Sequence, residues 1–177
     1  MVKEFIFDRG PIKLIPKFKN YCNNILEREV SAYRFVDDTI APITSEVELT
    51  EIEEALERSK PYYPVHLHLQ TALDFLADRK EPDYRNSIKE SISAIESIVK
   101  ILTDSETGKL RILLRELDIH PYLQSAFKQL YGYTSDAEGI RHALKDAPNL
   151  GFEDAKFLLV ICSAFFNYLV VKSSKTV

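Results

Sequence analysis

The sequence predicts a mainly α fold: a bundle of about six or seven helices around a hydrophobic C-terminal helix, with one small β-hairpin near residues 32–43. Three observations predict it. Glycine is scarce, at 5 in 177 residues, too few for the turns of a large sandwich or barrel. Apolar residues recur at i, i+3, i+4 and i+7 through most of the chain, the period of a helix with one buried face. Finally, Phe157 to Val171 is apolar nearly all round, as a helix at the centre of a bundle should be.

The elements follow in order. Pro16 is a good first residue for a helix, and Phe18, Tyr21, Cys22, Ile25 and Leu26 form its apolar stripe up to about Glu29. Tyr33, Phe35 and Val36 are β-formers, Asp37-Asp38 can turn, and Thr39, Ile40 and Ile43 resume the pattern. The prediction is a hairpin pairing 32–36 with 39–43, with an edge strand at Pro42, which has no N–H to donate. Thr44 or Ser45 caps a helix running to about Ser59, with Glu46 and Glu48 in its first turn and Leu49, Ile52, Ala55 and Leu56 facing inward.

After the linker "KPYYP", a helix over roughly 64–79 buries Leu69, Ala72, Leu73 and Leu76. Pro82-Asp83 opens the clearest helix, to about Leu102, with Tyr84, Ile88, Ile92, Ile95, Val99 and Leu102 on one arc. Ser87 and Ser91 flank that arc and permit a neighbouring helix to approach closely. A helix from about 106–109 to Asp118 carries Leu110, Leu113, Leu114 and Leu117, and "IHP" breaks it. Pro121 starts another, with Leu123, Ala126, Phe127, Leu130 and Tyr131 inside. The last helix begins near Phe152. Its few polar side chains, Lys156, Ser163, Asn167 and Ser174, fall on one narrow stripe.

Composition limits the function classes. Net charge is −4 with a pI near 5.6, unlike a protein that coats nucleic acid, so no DNA partner is predicted. Residues 46–57 hold six glutamates, read as solvated surface. Cys22 and Cys162 lack metal spacing and read as small core residues of a reducing compartment, which predicts a cytoplasmic location. The run Phe157–Val171 is short for a membrane span, so no membrane association is predicted. No Gly-rich phosphate loop, HExxH or CxxC occurs, and no cofactor or metal is predicted. His66 and His68 are two apart and diverge on a helix, so they cannot share a metal. His120, before a proline, reads as a loop or capping residue.

One stretch stands out: "YGYTSDAEGIRHAL", Tyr131 to Leu144. It reads as a loop between two helices. Ser135 with Glu138 matches a capping box, and Gly139 supplies conformational freedom. Arg141 suits phosphate or carboxylate through its planar fork, and His142 can move protons near neutral pH. Together they suffice for metal-independent cleavage of an RNA phosphodiester by its own 2′-hydroxyl. The plain alternative pairs Arg141 with Asp136 or Glu138 to fix the loop.

"DYRNSIKESISAIESIVK", "HPYLQSAFKQLYGYTSDAEGIRHAL" and "FEDAKFLLVICSAFFNYL" resemble the HEPN-like domain of bacterial abortive-infection proteins of the AbiJ type, and "AYRFVDDTIAPIT" fits the same group. The resemblance covers roughly residues 12–171. It implies a helical, commonly dimeric domain from antiphage defence, in a family where many members are ribonucleases. Their signature is an Arg, a polar residue and a later His. Arg141 and His142 match its start, whereas Lys145, Asp146, Ala147 and Pro148 stand where the later His belongs. The resemblance therefore implies a module acting by partner binding or dimerisation, with Tyr131, Tyr133, Asp136, Glu138 and Asn167 as its binding residues. The alternative is a metal-independent endoribonuclease using Arg141 and His142, with RNA as ligand. Residues 1–60 would form an N-terminal helix, hairpin and acidic helix packed on a HEPN-like bundle of residues 61–177, the two making one compact unit.

Overall fold

The computed structural model describes residues 11–136 and 150–174, with the backbone alone for 11–15, 135 and 136. Among these residues it has seven helices and one two-stranded antiparallel sheet: α1 (Pro11–Arg28), β1 (Arg34–Val36), β2 (Thr39–Ala41), α2 (Glu46–Ser59), α3 (Tyr63–Ala77), α4 (Tyr84–Leu102), α5 (Leu110–Leu113), α6 (Pro121–Asp136) and α7 (Phe152–Ser173).

The predicted hairpin is present, in the register Arg34↔Ala41, Phe35↔Ile40 and Val36↔Thr39. Asp37 takes the positive φ of the two-residue turn, 48°, which Asp tolerates better than most residues. Two strands alone are marginal, so the hairpin must be held from outside. Asn23 on α1 does this by bonding both backbone groups of Phe35, its Nδ2 donating to the carbonyl at 3.0 Å and its Oδ1 accepting from the amide at 2.7 Å. Thr39 donates to Asp74 of α3 at 3.1 Å, and the Arg79 guanidinium lies 4.4 Å from the Tyr33 ring centroid. Val36, Ala41 and Ile43 are then buried in the common core.

That core is shared by the whole chain. Leu49, Ile52, Ala55 and Leu56 of α2 enter it with Leu69, Leu73 and Leu76 of α3, Ile88, Ile92, Ile95 and Val99 of α4, and Leu158, Leu159 and Phe166 of α7. The expected helix caps are also found. Ser45 accepts from the Glu48 amide, and Asp83 accepts from the Asn86 amide at 3.0 Å. Ser87 and Ser91 are fully buried, and Ser87 donates across the α3–α4 contact to the Ala72 carbonyl at 2.8 Å. Small side chains let these helices close together, and the hydroxyls are satisfied by backbone oxygens.

Five expectations are corrected. First, α1 starts at Pro11, so Pro16 lies inside it. The stripe is also misjudged. Phe18 and Tyr21 are 56% and 48% exposed, because the main neighbour of α1 is the thin hairpin.

Second, the segment expected as a helix to Asp118 keeps only the short α5. Beyond Leu114 its amides turn to bonds three residues back, Arg115 to Ile112 and Glu116 to Leu113, so the helix tightens and stops. Leu110, Leu113 and Leu114 still bury themselves there. Third, among the described side chains of α6 only Phe127 and Thr134 are buried, while Leu123 and Ala126 are exposed. Fourth, α6 continues through Asp136, so Tyr131 and Tyr133 stand on a helix, and Ser135 lies in its last turn instead of opening a new one. The Phe127 ring stacks on Phe165 at 4.0 Å, and Tyr131 is tied to α4, which together hold this extra turn against the bundle.

Fifth, α7 is central but not enclosed. It packs on α2, α3 and α4, whereas Phe157, Tyr168 and Val171 remain 53%, 37% and 39% exposed. Among the described residues it is also the helix long and apolar enough to cross a membrane by length and composition, with 50% of that window buried inside the protein.

After α1 comes an unexpected residue in the left-handed conformation, Val30. The Val30 amide bonds the Glu27 carbonyl and the Ser31 amide reaches the Leu26 carbonyl, the C-terminal motif in which glycine is preferred. Val30 has φ 53°, where a β-branched side chain is strained, and it is 88% exposed, so nothing compensates. Val30→Gly is therefore expected to stabilise the protein by about 1 kcal/mol, read as a higher denaturation midpoint at unchanged slope. An unchanged or lower midpoint would refute the strain.

Candidate functional site

The predicted site residues fall into three groups. Glu138, Gly139, Arg141 and His142 lie outside the described residues, as does the Asp136 side chain. Tyr131 and Tyr133 are placed on α6. Asn167 is placed on α7, and its neighbour is α2.

Tyr131 lines a cleft of about 600 Å³ between the end of α4, the segment before α5, and α6. Its hydroxyl donates to Glu96 of α4 at 2.9 Å. The Arg111 guanidinium stands 5.8 Å from its ring centroid, within reach of a cation–π attraction. Lys100 and Lys109 complete a wall of three cations facing one carboxylate. Gly108 is required by close approach, since a Cβ there would lie 2.4 Å from the Leu113 side chain. The cleft suits an anionic group, and its aromatic ring gives that group a flat neighbour. Tyr133, two residues on, is 46% exposed and is not part of this cleft's lining.

Asn167 occupies the α2–α7 seam. Its Nδ2 donates to the Glu51 carbonyl and to the Glu51 carboxylate, both at 3.0 Å, while Lys156 pairs with Glu48 at 3.1 Å. The polar stripe expected on the last helix is therefore real, and it is the side against which the acidic helix docks. Ser163 Oγ and Asn167 Oδ1 are buried without a hydrogen-bond partner. Beside this seam runs an open groove of about 430 Å³, bordered by Glu51, Glu54, Arg58, Ala164, Tyr168, Val171 and Lys172.

The periodicity gave no sign of a third cleft, of about 380 Å³, between α1, the hairpin turn, α2 and α3. Its walls include Lys19, Asn20, Asp37, Glu53, Lys60 and His66. His66 and His68 diverge as expected. His66 Nδ1 lies 3.0 Å from the Ser59 hydroxyl and 3.1 Å from the Leu56 carbonyl, and Ser59 donates to that carbonyl at 2.9 Å. All three contacts are satisfied when Nδ1 carries the proton. His68 turns to Glu90, 2.6 Å away on α4. His120 Nδ1 accepts the Tyr122 amide at 3.3 Å, so it caps the start of α6. Among the described residues, no three His, Cys, Asp or Glu side chains are grouped to hold a metal ion.

Partial burial raises Glu53 above its ordinary value, reinforced by the Asp37 carboxylate and opposed by the Asp37 amide and Lys19. A carboxyl raised in the folded state adds stability below its unfolded value near 4.5 and loses it as pH rises through the folded value. At neutral pH the charge on Glu53 is a burden. Glu53 is solvent-exposed, so water screens most of this burden, and Glu53→Gln should raise the melting temperature only slightly at pH 7, with the gain fading below pH about 4. A gain independent of pH would contradict the cause. Burial alone drives the Cys162 thiol far upward, so it is inert at neutral pH.

In class, the described residues form a helical bundle with a hairpin-bearing N-terminal part and grooves on its surface. Residues 4–58 match the family described as AbiJ N-terminal domain 4, consistent with an AbiJ-type abortive-infection domain. No curated protein and no solved structure matches the chain.

Proposed function

We propose that this protein is an abortive-infection module that works through protein association, its later residues forming a HEPN-like bundle on which residues 1–60 dock. The match of residues 4–58 supports the defence role. The association rests on one observation, the exposed apolar face of α7 with Phe157, Tyr168 and Val171 at its surface. Large apolar side chains aligned along one helix face mark contact sites in soluble proteins.

Phage challenge tests this reading. Bacteria expressing the chain should release fewer phage progeny than an empty-vector control. Tyr168→Glu, folded by its melting curve, should abolish the difference. Unreduced progeny from the parent chain would overturn the reading.

A second reading has one observation in its favour: Lys100, Lys109 and Arg111 line an anion-suited cleft with Tyr131, close along the chain to Arg141 and His142. It is a metal-independent endoribonuclease. RNA cleaved in EDTA by the parent, and left intact by the Arg141→Ala/His142→Ala variant, would replace the first reading with this one.

A further inference from the structure

Among the described residues Arg34 is the buried side chain that carries a charge, at 8% exposure. Burial alternates along β1, so Arg34 shares the inner side of that strand with Val36. Ala41 stands opposite it on β2 and is fully buried. Arginine keeps its charge inside a protein and is almost never buried without a counter-charge. Among the described residues no carboxylate forms an ion pair with Arg34. The acids around the hairpin are engaged elsewhere, Asp37 and Asp38 by Lys19, and Asp74 by Thr39 and Gln70.

The guanidinium is nevertheless held in place. Its Nη1 donates to the Ser31 carbonyl at 2.8 Å and to the Tyr33 carbonyl at 2.9 Å. The Ser31 hydroxyl accepts the Tyr33 amide at 3.2 Å, which ties together the turn that carries both carbonyls. Bonds from one nitrogen to two fixed oxygens set the plane of the fork. They leave Nε and Nη2, whose N–H bonds run side by side along one edge at the spacing of two carboxylate oxygens. Among the described residues nothing accepts from that edge, and neither nitrogen is sealed from water. A second guanidinium adds to the local charge. Arg79 lies over the Tyr33 ring and, among the described residues, has no ion-pair partner either.

We infer that the Nε–Nη2 edge of Arg34 is a binding site for a carboxylate. A carboxylate lays both oxygens on that edge and neutralises the buried charge one for one. A phosphate dianion would bring a further charge that Arg34 alone cannot match. On the inner side of the hairpin the low dielectric strengthens the pairing, and the fork is oriented before the ligand arrives. The carboxylate is that of a free acid or of an Asp or Glu side chain on another protein. The site lies within the residues matched to the AbiJ domain and stands independently of the association reading above.

NMR of the Arg34 Nε–H group in the full chain tests this. Sodium acetate should move its cross-peak to saturation with a midpoint on the order of 10 mM, and sodium chloride at equal ionic strength should not. A capped glutamate peptide separates the two sources: tighter binding than acetate assigns a protein side chain, and equal or weaker binding assigns a free acid. In melting curves, acetate should raise the midpoint of the parent by a few degrees over matched chloride. That rise should vanish in Arg34→Lys, which keeps the charge but not the fork. The inference is overturned by a cross-peak that saturates with neither carboxylate, by sodium phosphate binding more tightly than acetate, or by an Arg34→Lys protein that responds like the parent.

Discussion

Phe166→Ala is expected to cost about 3–5 kcal/mol and to lower the melting temperature by on the order of 10 °C. Phe166 is fully buried, in the part of α7 that faces the other helices. Its ring meets Tyr62 edge-on, at 6.3 Å between centroids and 80° between planes. Truncation removes the transfer free energy of the ring and leaves a cavity among elements that have nowhere to move, because α2, α3 and α4 already contact one another or α7. Phe166→Leu keeps part of the volume and should recover more than half of the loss. Thermal denaturation of the three proteins checks this, and a Phe166→Ala protein within a degree or two of the parent would place the core elsewhere.

The second large effect is expected from adding atoms. Ser87→Val should cost about 1–3 kcal/mol, although valine is more apolar and the site is fully buried. Ser87 is fully buried in the α3–α4 contact, its hydroxyl 2.8 Å from the Ala72 carbonyl. The extra methyl must push the helices apart or bend the side chain off its rotamer. Ser87→Ala separates the two contributions, because it deletes the bond without crowding and should cost about 1 kcal/mol or less. If alanine proves the worse substitution, the hydrogen bond and not the close approach governs this contact.

The positions of α2, α3, α4 and α7 were legible in the sequence because their apolar stripes face several neighbours at once. Leu49, Ile52 and Leu56, or Ile88, Ile92 and Ile95, are buried as their spacing requires. The hairpin was legible from Asp37-Asp38 and the β-formers around it. The stripe of α1 misled, since periodicity identifies an apolar face but not whether anything is available to cover it. Phe18 and Leu123 look the same in sequence as Ile52 and differ only in their neighbours.

The end of α5 was illegible for another reason. The leucines of 110–117 keep helical spacing while their amides shift to tighter bonds, and spacing alone does not distinguish the two. Tyr131 was singled out for its polar surroundings in the chain, but its partner Glu96 lies 35 residues away and no local pattern joins them. The cleft holding Glu53 and His66 was missed for the same reason, as α1, α2 and α3 each supply only part of it.

The contact between α2 and α7 bears on inheritance. Lys156 reaches back to Glu48 and Asn167 to Glu51, so the segment matched to the AbiJ domain supplies one wall of the bundle's own interior. A crossover near residue 60 that brought in a foreign opening segment would leave an amide and an ammonium facing the wrong chemistry. Grafts between lineages should therefore succeed only when both sides of that wall travel together, and the two halves of the gene are bound to drift as a pair.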